Sequence, residues 1–358
     1  MSYLMVIILI FSILGALDRI FGNRFGIGKE FEKAFMLLGT MSLSMIGMIV
    51  ISPIIADVMT PVSELFGNVL HIDPSIIPAS LFANDMGGAT LATEMANNEN
   101  IGLYNALVVS SMMGCTLSFT IPFSLGVVDK KKHKELLLGL LCGLVTIPIG
   151  CIVSGIICKM SVNDLLLDLL PLIIFAGIIA FGLVSFPEMS VRIFKLFGIF
   201  ITCIVTIGLS LGIIRFLSGY ELIKGLNTIE EGASICFNAA IVLSGSFPFM
   251  FILSKVLSKP LNTIGKKVNM NESSVVGIIS SIASSATAFG MMDKMDSKGV
   301  MLNSAFAVSG AFILGSHLAF TMAFASAYVL PVIVGKLVSG VSALVLANAI
   351  YKRTNKFI

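Results

Sequence analysis

The chain has few charged residues and no tryptophan. Asp, Glu, Lys and Arg make up only 12% of its 358 residues, about half the share in soluble domains. Apolar residues make up 56% and the mean hydropathy is +1.01, so too little polar surface remains to cover a soluble globule. Without tryptophan, anchoring at the membrane surface falls to Tyr, Phe and Lys/Arg. The sequence therefore predicts an all-α integral membrane protein.

Motifs for enzyme, metal and nucleic-acid chemistry are also missing. The chain has no Gly-x-Ser-x-Gly, P-loop, His-x-x-x-His or paired-aspartate motif, and its net charge of +3 is spread over short clusters. The six cysteines lie inside apolar runs without C-x-x-C spacing, which favours apolar packing over disulfides or metal binding. They are Cys115, Cys142, Cys151, Cys158, Cys203 and Cys236. We therefore expect no catalysis, cofactor, metal or nucleic-acid partner.

About nine apolar runs are long enough to cross a bilayer core about 30 Å thick as helices. They cover residues 3–21, 34–59, 101–127, 136–158, 165–184, 193–214, 232–254, 300–324 and 327–350. The first run lacks a basic n-region and an A-x-A cleavage site, so we interpret it as a span and not as a signal peptide. Two further stretches, 75–96 and 272–292, are apolar but interrupted by polar residues.

The distribution of Lys and Arg predicts how these segments are oriented. Residues 57–76 contain neither, which places them outside the cytoplasm. Basic loops are expected around residues 24–33, 130–134, 192–195 and 255–267, and a basic tail at 352–356, which places these segments inside. Lys159, Arg215 and Lys224 depart from the pattern. The count of crossings is consistent only if the two interrupted stretches return to the side from which they enter. We therefore predict two re-entrant hairpins from opposite faces, an outside N-terminus and a cytoplasmic C-terminus.

This arrangement predicts an inverted repeat. Residues 1–158 contain two spans, the hairpin 75–96 and two spans; residues 193–358 contain the same order with the hairpin 272–292; and residues 159–192 hold a linking transmembrane helix. In the helix after each hairpin, Gly114 with Phe119 and Phe123 has the same spacing as Gly315 with Phe320 and Phe324. Inverted repeats with discontinuous helices are typical of secondary transporters.

The first hairpin has Asn84, Asp85, Gly87 and Gly88 at its centre. Non-helical backbone at membrane depth is tolerated where it is buried in protein or lines an aqueous cavity. An ionised carboxylate near the midplane costs about 2.5–3.5 kcal/mol on insertion scales, so Asp85 is a candidate counter-ion for a cationic substrate. Alternatively, Asp85 lies in a wet vestibule or caps the following helix.

The second hairpin offers hydroxyl groups instead of a carboxylate. Ser284, Ser285 and Thr287 are candidate ligands for a substrate hydroxyl, although Ser and Thr also serve close helix packing in membranes. His317, in the next span, is either a substrate contact or proton site, or a buried neutral histidine bonded to a carbonyl. The hairpins alone leave a carrier and a channel open.

Several segments resemble the ethanolamine permease family of ethanolamine-utilisation operons (EutH-like). They are 81–88 (LFANDMGG), 111–114 (SMMG), 146–151 (TIPIGC), 289–292 (FGMM), 295–296 (MD), 305–309 (AFAVS) and 331–337 (PVIVGKL), in order over most of the chain. The resemblance implies import of ethanolamine across a bacterial cytoplasmic membrane. In the family pattern, Asn-Asn stands where this chain has Ser284-Ser285, and Asp stands in place of Ser316.

We therefore predict a secondary transporter that imports a small polar cation, with ethanolamine as the first candidate, by alternating access. Asp85 is expected to pair with the ammonium group, and Asn84, Ser284, Ser285 and His317 with the hydroxyl group. Partners are the small-molecule substrate and the lipid bilayer, with a homo-oligomer as an open option. The alternatives are a channel, or a carrier for a different small amine or polar metabolite. Ion coupling is also left open.

Overall fold

The computed structural model describes residues 3–267 and 270–354, which form helices and turns without a β-strand. The first part contains α1 (Tyr3–Ile20), α2 (Ile27–Val58), α3 (Thr60–Glu64), α4 (Ile76–Leu81), α5 (Gly88–Met95), α6 (Glu99–Val127) and α7 (His133–Ile157). The second contains α8 (Val162–Ser185), α9 (Pro187–Ser218), α10 (Ile229–Lys267), α11 (Glu272–Ala283), α12 (Ser285–Gly290), α13 (Ser297–Ser309), α14 (Ser316–Ala325) and α15 (Val329–Thr354).

Short irregular helices complete the described structure. Single 3₁₀ turns cover Asn84–Met86, Lys130–Lys132, Met292–Lys294 and Ser326–Tyr328, and a π-helical turn covers Leu65–Val69. Helix α6 is itself π-helical over Asn105–Gly114 and Thr116–Thr120. Such wide turns are frequent at functional sites, and α6 runs beside the first hairpin.

The predicted fold class is confirmed. Among the described residues, eight helices are long and apolar enough to cross a membrane, and they account for eight of the nine predicted spans. Large apolar side chains are exposed along the outer helices, for example Ile174, Ile178 and Phe181 of α8. Such a surface is suited to lipid and not to water. All six cysteines are free.

The remaining predicted span, residues 300–324, is wrong as a continuous helix. Helix α13 ends at Ser309 and α14 begins at Ser316. Between them the chain pairs with the end of α11: the Phe312 N–H donates to the Ser281 carbonyl at 2.9 Å, and the Leu314 N–H donates to that of Ile282 at 3.0 Å. The last carbonyl groups of a helix lack partners within it. These two hydrogen bonds therefore pair carbonyl groups at the end of α11 with N–H groups of the break. Hydropathy cannot detect it, because the residues of the break are themselves apolar.

Several helices also extend beyond the apolar runs that predicted them. Helix α2 begins at Ile27, seven residues before its run, and α10 continues to Lys267. The basic cluster of residues 255–267, which we expected to form a loop, is therefore helical. Apolar composition marks only the lipid-embedded part of a helix, whereas backbone hydrogen bonding continues into the interface.

The two interrupted stretches each form a pair of packed helices: the first hairpin (residues 76–95, α4 and α5) and the second hairpin (residues 272–290, α11 and α12). Each packs against a glycine further along the chain, Gly114 within α6 and Gly315 directly before α14. A Cβ atom at Gly114 would overlap the Phe82 carbonyl oxygen, and one at Gly315 would overlap that of Ala283. Each glycine lies the same number of residues after the carbonyl it meets. A repeat would produce such matching contacts; its inverted orientation and the re-entrant paths stay predictions.

Equivalent helices of the two proposed repeats pack against each other, α2 against α10 and α7 against α15. In the second pair, Gly150 and Gly335 bring the backbones together, and the Ser154 hydroxyl donates to the Pro331 carbonyl at 2.8 Å. Small residues and interhelical hydrogen bonds are the usual means of close packing in lipid. The backbones of α7 and α15 therefore pack closely against each other.

Candidate functional site

A cavity of about 310 Å³ lies where the two hairpins approach each other. The first hairpin contributes Asp85 and the second contributes Ser284. Ser316 and His317 enter from the first turn of α14, directly after the helix break. The remaining wall comes mainly from α2 and α10 and is largely apolar. An apolar cavity with a few convergent polar groups is typical of small-molecule sites.

Asp85 is the acidic group of this cavity. Its side chain is 16% exposed, and its Oδ1 lies 3.7 Å from Nε2 of His317, which is almost fully buried. The Ser316 side chain lies beside this carboxylate in the cavity wall. The oxygens of this carboxylate can still accept hydrogen bonds from a molecule in the cavity. A carboxylate of this kind can bind a cation by charge-assisted hydrogen bonds. The site is therefore suited to a small molecule with an ammonium group.

Phe312 shapes the cavity from the break between α13 and α14. Its ring centroid lies 4.9 Å from that of His317 and 5.7 Å from that of Phe119. Its φ angle is +60°, a conformation unfavourable for a bulky side chain. Strained backbone of this kind is concentrated at functional sites. Here it holds an aromatic ring against the histidine and the cavity.

The other residues predicted at the first hairpin form its turn. Gly87 has φ +93°, and a Cβ atom there would overlap Met48; one at Gly88 would overlap the Phe82 carbonyl oxygen. The backbone therefore requires glycine at both positions. The Asn84 side chain is fully buried, and neither its oxygen nor its nitrogen has a partner within the protein. Asn84 therefore lies in the turn next to Asp85 without lining the cavity.

The three residues predicted at the second hairpin lie in three different environments. Ser284 has extended backbone between α11 and α12 and lines the cavity. Ser285 is fully buried, and its hydroxyl has no partner within the protein. Thr287 is exposed on the outer face of α12 and is not part of the cavity wall. The structure thus brings together Asp85, Ser284 and His317 of the predicted set.

Lys336 lies behind this site and was not predicted as part of it. Lys336 is 1% exposed, its Nζ donates to the Ser111 carbonyl at 2.6 Å, and the Asp85 charge acts on it. Ionisable residues inside membrane helices are rare and usually functional. A single lysine within the apolar run 327–350 was the signal that could have identified it. Ser316 was noticed only as a departure from a family pattern, and Phe312 carried no signal.

The chain matches a family model described as EutH, ethanolamine utilisation protein, over residues 1–350. The chain belongs to the EutH family. It is 42% identical to a protein named "Probable ethanolamine permease EutH" from Listeria monocytogenes serotype 1/2a (strain 10403S), over 98% of this chain and 94% of that protein. A protein of the same name from Escherichia coli (strain K12) is 37% identical, over 95% of this chain and 93% of its own length.

Another relative, the uncharacterized protein YxeR of Bacillus subtilis (strain 168), is 35% identical over 93% of this chain and 90% of its own length. No solved structure matches the chain. Membership in the EutH family, together with the apolar helices, identifies a multi-pass cell-membrane protein of a transporter family. The names of its relatives point to permeation and not to catalysis.

Proposed function

We propose that the chain is a secondary transporter that imports ethanolamine, bound as ethanolammonium, by alternating access. One observation carries this proposal: the carboxylate of Asp85 and the hydroxyl groups of Ser284 and Ser316 line one small cavity between the two hairpins. Ethanolamine has an ammonium group and a hydroxyl group separated by two carbons. A carboxylate next to hydroxyl groups provides complementary partners for both ends.

Asp85 pairs with the ammonium group in the proposed complex. The charged hydrogen bond is strong because the surrounding wall is largely apolar. The faces of Phe119 and Phe312, which also line the cavity, add cation–π attraction. His317 lies behind the carboxylate and keeps it oriented toward the cavity.

Ser284 binds the substrate hydroxyl in this proposal. Asn84 and Ser285 lie buried at the two turns with unpartnered polar atoms, and they join the binding site when the hairpins move. Unpartnered buried polar groups are costly, so a conformation that pairs them with substrate is favoured when substrate is present. This would link binding to hairpin movement.

Alternating access follows from movement of one repeat-derived unit against the rest. In the proposed orientation the N-terminus is outside and the C-terminus is in the cytoplasm of the bacterial cell. A monovalent cation entering through a potential of 100 mV, inside negative, gains about 2.3 kcal/mol. Ethanolammonium import can therefore be driven by the membrane potential alone.

The test is uptake of labelled ethanolamine into proteoliposomes with an inside-negative potential, comparing the wild type with Asp85→Asn. Asparagine preserves the size of the side chain and removes its charge, so we expect saturable uptake to fall at least tenfold. The matched control is Asp57→Asn, since Asp57 is an exposed aspartate near the end of α2. Size-exclusion profiles and thermal unfolding of the variants establish that both are folded.

Equal uptake by the wild type and Asp85→Asn would disprove the role of Asp85 but retain ethanolamine as the substrate. Absence of uptake by a folded wild type would reject ethanolamine. Counterflow of labelled substrate against unlabelled substrate, which a carrier supports and an open channel does not, separates the two transport classes.

A further inference from the structure

A second acidic residue lies inside the membrane, apart from the cavity. Asp168 is on α8, the linking helix between the proposed repeats, and is 2% exposed. Its Oδ1 accepts a hydrogen bond from Nδ2 of Asn105 at 2.8 Å. The same nitrogen donates to the Ser75 hydroxyl at 2.9 Å. One asparagine therefore joins α8, α6 and the residue directly before the first hairpin.

Two oxygens of this group have no partner. Oδ2 of Asp168 and Oδ1 of Asn105 are both buried without a hydrogen bond within the protein. A proton on Oδ2 would turn this oxygen into a donor, and the Asn105 oxygen is a free acceptor on the amide that already binds the same carboxyl group. A carboxylic acid and an amide commonly pair through two such hydrogen bonds. A proton on Oδ2 that the Asn105 oxygen accepts would satisfy both oxygens at once.

The charges around Asp168 also favour the neutral acid. None of the ion pairs among the described residues includes Asp168. The nearby titratable groups are Asp73, Asp164, Tyr104 and Cys151. Asp73 binds backbone N–H groups at the start of the loop to α6, and the Tyr104 hydroxyl donates to a carbonyl. An ionised, unpaired carboxylate in such surroundings would carry a large desolvation cost.

We propose that Asp168 and Asn105 form a proton-binding site, occupied in this conformation, that couples proton entry to movement of the first hairpin. The inference rests on the proposed transport function. One proton binds Oδ2 of Asp168 from the outer water, and it leaves to cytoplasmic water as each substrate cation is released. Two positive charges then enter in each cycle.

The position of the site fits access from outside. Asp168 and Asn105 each lie about 9 Å along their helices from the first residue, at a rise of about 1.5 Å per residue. Both helices, α8 and α6, begin on the predicted outer side. Sodium fits this site less well, because it needs more oxygen ligands than this group supplies, whereas a proton needs one donor and one acceptor.

The link to transport runs through Ser75. Ser75 precedes α4, the first helix of the hairpin that carries Asp85. Loss of the proton leaves a charged carboxylate that attracts both N–H groups of Asn105 and weakens the bond to Ser75. The protonation state of Asp168 therefore changes how firmly the base of the hairpin is held.

Infrared difference spectroscopy tests the site without any substrate. We expect the wild type to show the carbonyl stretch of a protonated carboxylic acid at neutral pH, and Asp168→Asn to lack it. Asparagine mimics the protonated acid, since its amide can bond Asn105 in the same two ways, so this variant is expected to fold. The control is Asp164→Asn, one turn earlier on the exposed face of α8, which should keep the band. A wild type without this band, or a band that sodium removes, would overturn the proton site.

Transport provides the second measurement. At zero membrane potential, an inward proton gradient of one pH unit should raise ethanolamine accumulation by the wild type about tenfold, the equilibrium ratio for one coupled proton. Passive diffusion of the neutral amine works in the opposite direction, because a base collects on the acidic side. Asp168→Asn should retain counterflow but lose the gradient-driven accumulation, whereas Asp164→Asn should retain both.

The two measurements separate the possible failures. Gradient-driven accumulation by Asp168→Asn would overturn the coupling role. If the wild type does not transport ethanolamine at all, the proposed function fails, and the infrared band still decides whether Asp168 holds a proton.

Discussion

At the scale of single residues, the cavity depends on side chains that separate elements bring to Asp85. His317 lies 3.7 Å from its carboxylate, and the Ser316 hydroxyl lies beside the same group in the cavity wall. Ser316 and His317 are neighbours in the sequence and both line the cavity. The serine side chain is the smaller of the two, so it leaves more of the cavity free. We therefore expect Ser316 to influence how strongly the Asp85 carboxylate binds a substrate.

Ser316→Ala tests this contribution. It removes the hydroxyl that keeps the carboxylate in place, and we expect the KM for ethanolamine uptake to rise about fivefold to tenfold, as for loss of one hydrogen bond to a charged group. Initial uptake rates over a range of substrate concentrations measure it. Ser326→Ala, at an exposed serine beyond the end of α14, should leave KM unchanged. An unchanged KM in Ser316→Ala would show that Ser316 does not support Asp85.

At the scale of helices, the position of the site depends on the turn of each hairpin, whose backbone packs closely against a glycine further along the chain. Gly114 and Gly315 leave room for the carbonyl groups of Phe82 and Ala283. Beyond Gly315, α14 starts with the two residues that face Asp85. The position of the cavity thus depends on glycine at these two contacts.

Gly315→Ala should disturb this contact. The added methyl group would meet a backbone oxygen, which cannot move as a side chain does, so we expect a loss of about 2 kcal/mol in the free energy of unfolding and weaker uptake. Thermal unfolding in detergent measures the loss. Gly177→Ala on α8 is the control, because nothing lies within 4 Å of its added Cβ. Equal stability of the two variants would contradict the proposed packing.

At the scale of the whole molecule, two hairpins from opposite faces would let one site open alternately to each side. The first hairpin ends near Asn97 and the second near Asp293, both of them exposed. In the proposed orientation, these positions face the outside and the cytoplasm, respectively.

Cysteine labelling in intact cells tests this orientation. In a Cys203→Ser background, which removes the exposed native cysteine, we expect a membrane-impermeant maleimide to label Asn97→Cys directly. Asp293→Cys should be labelled only after the cells are permeabilised. Labelling of both positions from outside would exclude the opposed arrangement of the hairpins.

Much of this architecture was predictable from the sequence. Low charge and long apolar runs determine that the chain lies in lipid as helices, because unpaired backbone groups cannot exist in hydrocarbon. Polar residues inside apolar stretches located both hairpins, and the acid at the centre of the first stretch, Asp85, pointed to the candidate site. Each of these features lies within one segment of the sequence, so it can be predicted without knowing how the helices pack.

The tertiary structure alone decided the rest. The break at residues 310–315 is apolar and forms because the end of α11 accepts its N–H groups, a pairing between segments distant in sequence. The placement of Ser316 beside Asp85, of Lys336 behind it and of Asn105 against Asp168 also depends on contacts between helices. Hydropathy and residue type report the cost of burying each group in lipid, whereas the partner that offsets this cost is determined only when the helices pack.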